Sequence, residues 1–219
     1  MSFKEAIEDY RYLRNRHYPP KALLKLVGDR YRLTRAQRNC LFRGVITDEV
    51  ASIRKKKLAG YEEINAHPVG IDWYNVLITV ESYLKGYPIF ISDDGLVRDS
   101  SGIHGNYRTT KITDRAITDI FSVLAELTPE SIDLYIDSPI SYSGQMANDL
   151  RERMVHHFDI PFSIEVVPSA DFFLKNYNGI VISSDSIILD HATMFFDLAR
   201  FVLSERFNFT PPELESLDL

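Results

Sequence analysis

A chain of 219 residues with 45% hydrophobic and 26% charged residues lies near the globular average, which excludes wholesale disorder, a collagen-like repeat and a coiled-coil rod. Its single cysteine, Cys40, rules out an intrachain disulfide framework and a cysteine-rich zinc site. The net charge of -6 conceals an asymmetry, because residues 1–60 hold 15 Lys and Arg against 6 Asp and Glu while residues 61–219 hold 10 against 25. A basic module joined to an acidic domain fits a polyanion-binding part beside a metal-binding part, and equally fits two halves that dock on one another.

The first 60 residues read as helices. Phe3 to Leu13 is amphipathic and stops before Tyr18-Pro19-Pro20, where the prolines end one helix and suit the first turn of the next, Lys21 to Val27, closed by Gly28. Thr34 stands three residues before Gln37, a capping-box spacing that opens a helix ending near Gly44, and Asp48 to Ala59 follows. Gly60 leads into a linker over 60–67. From Val69 short apolar runs alternate with helical stretches, the pattern of a parallel sheet flanked by helices. Strands are predicted at Val69–Asp72, Ile132–Asp137, Ser163–Val167 and Gly179–Ser183, and helices at Val76–Leu84, Thr113–Leu127, Ser143–His157, Ala170–Asn176 and Ser186–Phe207. An insert at 88–110 carries Asp94-Gly95, a hairpin turn. The tail, 208–219, holds Pro211-Pro212 and acidic residues and is expected to be loose. No apolar run approaches the ~20 residues of a membrane span, and the opening MSFKEAIEDY lacks a signal-peptide pattern, so a cytoplasmic protein without membrane contact is expected.

Three of the predicted strands end at an aspartate. In open parallel sheets ligands bind outside the carboxyl ends of the strands, so Asp72, Asp137 and Asp185 converge on one edge. Convergent carboxylates repel unless a cation lies among them, and Mg²⁺ or Mn²⁺ suits oxygen donors and holds water as a nucleophile source. The plainer alternative is that each Asp caps a helix or a turn.

These residues resemble a known family. Gly70-Ile71-Asp72-Trp73-Tyr74-Asn75 is similar to the D-G-Y-N opening of NYN-type domains in the PIN-like nuclease superfamily, with Trp73 replacing the usual Gly. Ala170-Asp171-Phe172-Phe173-Leu174 is similar to the A-D-x-x-I segment, and Val181-Ile182-Ser183-Ser184-Asp185 to the V-V-T-S-D strand end. The resemblance implies a three-layer PIN-like α/β fold over residues 69–205 and metal-dependent hydrolysis of RNA. It implies an acidic set of Asp72, Asp137, Asp171 and Asp185, with Asn75 orienting the first loop and Ser184 supporting the metal shell. The insert has no counterpart in ordinary NYN domains. The whole chain is also similar to a prokaryotic family of uncharacterised proteins that pairs a short basic N-terminal domain with this one, on Leu26–Leu33 and Arg35–Gly44.

The insert and the module carry further candidates. Asp94, Arg98, His104 and Arg108 form a substrate loop in one reading, the arginines gripping phosphate and His104 acting as acid, base or ligand; in the other they are a polar hairpin. Arg30, Arg32, Arg35, Arg38 and Arg43 contact nucleic-acid phosphates in one reading, with Tyr12 and Tyr31 stacking on bases, and dock on the acidic domain in the other. His156, His157 and His191 are assigned to helix surfaces, and Phe195, Phe196, Leu198, Phe201 and Val202 to the core. The expectation is a Mg²⁺- or Mn²⁺-dependent ribonuclease whose basic module presents RNA, with a homo-oligomer possible. The alternatives are a non-catalytic nucleic-acid-binding protein of the same fold and a phosphoesterase acting on a small nucleotide.

Overall fold

The computed structural model describes residues 2–101, 107–217 and 219. The N-terminal module comprises α1 (Phe3–Arg14), α2 (Pro20–Arg30), α3 (Arg35–Gly44) and α4 (Asp48–Lys55). Side-chain caps fix the helix starts: Ser2 with Glu5 on α1 and Thr34 with Gln37 on α3 form reciprocal capping boxes, and the Thr47 hydroxyl accepts from the Val50 amide on α4. Helix α2 runs on through Gly28 rather than ending there. At Gly28 the requirement is close approach, since a Cβ would lie 1.9 Å from the Arg38 guanidinium that crosses it to donate to the Leu24 and Leu33 carbonyls. Helix α4 ends earlier than expected, because the residues after it extend to pair with another segment: the Ala59 amide donates to the Phe195 carbonyl at 2.8 Å.

After a 3₁₀ turn at Tyr61–Ile64, the chain runs through β1 (Pro68–Asp72), α5 (Trp73–Leu84), β2 (Ile89–Ile91), β3 (Val97–Asp99), α6 (Lys111–Leu127), β4 (Ser131–Asp137), α7 (Ser143–His157), β5 (Phe162–Val167), α8 (Asp171–Leu174), β6 (Ile180–Ile182), α9 (Ser186–His191) and α10 (Leu198–Phe207). The protein is α/β, with a four-stranded, all-parallel sheet in the order β5-β4-β1-β6 and helices before it. Val69, Ile71, Ile132, Leu134 and Ile136 face one side of the sheet and pack against α5, α6, α7 and α10. Tyr135, Val167 and Val181 face the other, against Leu174 of α8 and Ile188 and Leu189 of α9. Alternation along each strand produces these two cores. The register places Asp72 opposite Tyr135 and Asp137 opposite Val167, so the carboxyl ends of the strands finish on one edge.

The hairpin forms as expected, β2 pairing antiparallel with β3 around Gly95, whose φ of +86° is a turn conformation that glycine adopts without strain. The helix expected over 186–207 is instead two. Residues 192–197 are not helical between α9 and α10, and Phe195 forms isolated parallel bridges with Leu58 and Val181. The adjacent side chains explain the break, because Phe195 buries in the core on one face of the sheet and Phe196 in the core on the other. An extended segment points neighbouring residues to opposite sides, which a helix cannot do.

The tail corrects the sequence reading. Ile91 donates to the Pro212 carbonyl at 2.8 Å, and Leu214, 1% exposed, completes the core of the helical module with Phe90 of the hairpin. The module itself docks on the acidic domain through arginines: Arg11 pairs with Asp93 at 2.6 Å, Arg43 with Asp99 at 2.7 Å, and Arg54 with Asp94 at 2.9 Å and Asp190 at 2.6 Å. Among the described residues no helix is long and apolar enough to cross a membrane.

Two substitutions test this assembly by urea denaturation. Leu214→Ala should cost about 2–5 kcal/mol, as a buried leucine cavity does, which a loose tail would not. Arg54→Ala, which leaves the buried Asp94 to Arg98 alone and removes the ties to Asp190 and Ser186, should cost about 1–3 kcal/mol.

Candidate acidic site at the strand ends

Asp72 ends β1, Asp137 ends β4, Asp171 opens α8 and Asp185 follows β6. All four line one cavity of about 340 Å³ outside the carboxyl edge of the sheet, together with Tyr74, Asn75, Asp99 and Arg43. The expected convergence of Asp72, Asp137 and Asp185 is present, with Asp171 beside them.

Hydrogen bonds hold these strand ends in register. The Ser183 hydroxyl donates to Asp72 at 2.9 Å and accepts the Asp185 amide at 3.0 Å, joining β1 to the end of β6. Asn75 reinforces the junction, its side-chain oxygen accepting the Ser184 amide at 2.8 Å and the Ser184 hydroxyl at 2.9 Å. Asn75 and Ser184 therefore position one another. Asp137 accepts the Ala170 amide at 2.8 Å, fixing the loop that delivers Asp171, and Asp185 caps α9 by accepting the Ile187 amide at 2.7 Å. The helix-capping alternative thus holds for Asp185, whose carboxylate also lines the cavity.

Burial, followed by the charges of Asp137 and Asp185, pushes the Asp72 carboxyl up to about 7. Burial, then Asp185 and Asp137, raises Asp171. The Tyr74 phenol is pushed up to about 12 by burial and by Asp137. Its hydroxyl is buried with no hydrogen-bond partner among the described residues. The donor set is all carboxylate oxygen, which in kind fits a hard divalent cation. In placement the fit is incomplete: among the described residues no three His, Cys, Asp or Glu side chains form a group that could hold an ion.

The remaining candidates divide. Asp94 and Arg98 are buried, at 0% and 3% exposure, and pair with each other at 2.9 Å, so neither lies in a solvent-facing phosphate grip. Burial alone would raise Asp94, yet the Arg98 charge, with hydrogen bonds from Arg98, Ser92 and Arg54, holds its carboxyl far below the usual range. Arg98 also donates to the Ser184 carbonyl at 3.0 Å, which makes it a support of the site from behind. Arg108 is exposed and is not among the described lining residues of the cavity; His104 lies outside the described residues. Arg30, Arg32 and Arg35 are exposed, whereas Arg38 folds over Gly28 and pairs with Asp29 at 2.9 Å. Tyr31 donates to Asp9 at 2.6 Å, and Tyr12 is exposed. His157 and His191 each contact a carbonyl one turn back on their own exposed helix surfaces, as expected. Tyr74 is a lining residue to which the sequence reading gave no role, whereas Asp99 belongs to the insert cluster read as a substrate loop and is the one carboxylate of that cluster to line the cavity. Tyr74 could have been found from its place between Asp72 and Asn75, in the first turn after the strand end.

Fold and cavity define a class: a parallel α/β domain with carboxylates at its strand ends, buttressed by a helical module. Residues 61–201 match the family described as Domain of unknown function (DUF5616), and the chain belongs to that family. Residues 2–57 match the family described as Protein of unknown function (DUF434), so the two matches meet where α4 gives way to the 3₁₀ turn. The chain is 32% identical over 189 residues to the uncharacterised protein MJ0935 of Methanocaldococcus jannaschii, covering 86% of this chain and 89% of that one. No solved structure matches.

The raised Asp72 carboxyl has a stability consequence. Between its unfolded value near 3.8 and its folded value of about 7, the folded protein retains a proton that the unfolded chain has released. Stability therefore falls as pH rises through that window. Without added divalent cation, the protein should unfold at lower urea at pH 8 than at pH 5, by on the order of 2–4 kcal/mol. Asp72→Asn should flatten that dependence.

Proposed function

We propose that this protein is a Mg²⁺- or Mn²⁺-dependent hydrolase of RNA phosphodiester bonds, with a PIN-like, NYN-type α/β domain. The observation that carries the reading is the shared cavity at the carboxyl edge of the parallel sheet, lined by Asp72, Asp137, Asp171 and Asp185. The same four positions match the acidic set of the NYN resemblance, in the same order along the chain. A bound divalent cation would supply neutralisation of the phosphodiester charge and a water of lowered pKa. The chain's own residues supply placement: Ser183 fixes Asp72, Asn75 fixes the β6 end and Ala170 fixes Asp137. Asp72, charged above about pH 7 when no cation is present, and Asp137 and Asp185 would be the cation's donors.

The exposed Arg30, Arg32 and Arg35 of the module offer a phosphate-contacting face, whereas Arg11 and Arg54 are consumed in docking.

The test is incubation of the full chain with labelled single-stranded RNA and Mn²⁺. Cleavage is expected, with a loss of about 10²-fold or more in Asp72→Asn and in Asp185→Asn. Binding without cleavage across RNA and DNA substrates would move the assignment to a non-catalytic nucleic-acid-binding protein. Turnover of nucleotides alone would move it to a small-nucleotide phosphoesterase.

A further inference from the structure

The cavity that holds the four aspartates is not built by the α/β domain alone. Arg43, from α3 of the helical module, lines it and is the one basic side chain among its described lining residues. Its guanidinium is anchored from behind, Nη1 donating to the Asp99 carboxylate at 2.7 Å and to the Asp99 carbonyl at 2.9 Å. Asp99 is 1% exposed and also accepts the Ser101 amide at 2.9 Å, so the anchor is satisfied from two directions and rigid. The arginine side chain itself keeps 21% of its surface accessible.

Tyr74 supplies a second, independent signal. It is 2% exposed, lines the same cavity and carries a hydroxyl with no partner among the described residues. A buried hydroxyl without a partner costs stability, on the order of 1–3 kcal/mol, so its presence needs a compensating role. Its ring lies against Tyr107 at 5.1 Å between centroids, which fixes its direction.

Resting on the reading of this cavity as the reacting site, we propose that Arg43 and Tyr74 form a donor wall that positions the substrate phosphate, contributed jointly by the helical module and the α/β domain. An array of carboxylates has no use for an anion's oxygens except through a cation, whereas a guanidinium and a phenol hydroxyl are donors suited to phosphate. The wall supplies donors to phosphate oxygens in the same cavity that the carboxylates line. The two parts of the chain are thereby halves of one site, and the module's docking brings in a positioning residue as well as buried contacts.

Binding of a short fluorescein-labelled oligouridylate to the full chain in Ca²⁺, followed by anisotropy, tests this apart from turnover. Arg43→Ala should weaken binding about tenfold or more, and Arg43→Lys should recover part of the loss. Arg43→Ala/Asp99→Asn, which removes the stranded carboxylate charge, should melt near the native temperature yet still bind weakly. Tyr74→Phe should bind several-fold more weakly while melting at the native temperature or above it, a pairing that a structural hydroxyl would not give. Lys25→Ala, on the exposed face of α2, should bind within about twofold of the native protein. Native-like binding by both Arg43→Ala and Tyr74→Phe, or no binding by the native chain, overturns the proposal. A lower melting temperature in Tyr74→Phe overturns the part given to Tyr74. In Mn²⁺ assays Arg43→Ala should raise KM more than it lowers kcat. Absence of cleavage with the binding pattern intact would defeat the hydrolase reading and leave the donor wall standing. Cleavage at native KM in both variants would defeat the donor wall alone.

Discussion

The buried ion network of Arg54, Asp94 and Arg98 is the joint on which the architecture turns. Asp94, in the hairpin turn, is held by Arg54 of α4 on one side and Arg98 of β3 on the other, and Arg98 continues to the Ser184 carbonyl. One carboxylate thus ties module, hairpin and the end of β6 together. Burying such charges is costly, and a well-packed apolar substitute is often as stable. What the network provides is geometry: a guanidinium donates in fixed directions, so the pairing sets where α4 lies on the domain and where the strand end lies behind the cavity.

In front of that joint the electrostatics reverse. Each buried carboxylate of the hairpin has an arginine: Asp94, behind the cavity, has Arg54 and Arg98, and Asp99, at its wall, has Arg43. At the sheet edge Asp72, Asp137 and Asp171 have no salt-bridge partner among the described residues, and Asp72 and Asp171 are raised by burial and by their neighbours. The same residue type therefore holds the structure where it is neutralised and stores repulsion where it is not. Such a contrast is the kind of arrangement found where carboxylates serve a ligand rather than the fold.

Much of the fold was legible because periodicity and caps are local. Thr34 with Gln37, Asp94-Gly95 and the four apolar runs, three of them leading to an aspartate, each determine structure within a few residues. What was not legible depended on partners distant in the sequence. The break at 192–197 arises because Phe195 and Phe196 serve opposite faces of the sheet, and the order of the tail arises because Leu214 fills a gap in the module. Arg98 and Arg38 read as free cations because nothing local reveals the carboxylate or the glycine against which each lies. Of the site, the four aspartates could be placed by strand ends and family resemblance, and Tyr74 by its place between Asp72 and Asn75, while the pairing of Asp99 with Arg43 needed the third dimension.

The docking of Leu214 carries a consequence for how the chain is made. The core of the module takes side chains from α1, α2 and α3, then Phe90, and last Leu214, so a growing polypeptide leaves that core open until roughly 170 further residues have emerged after Leu41. That last contact joins residues far apart in the sequence, a closure that is slow to form compared with the local contacts among α1, α2 and α3. Arg43 of α3 belongs to the same module, so one wall of the cavity is carried by a core whose last side chain comes from the tail.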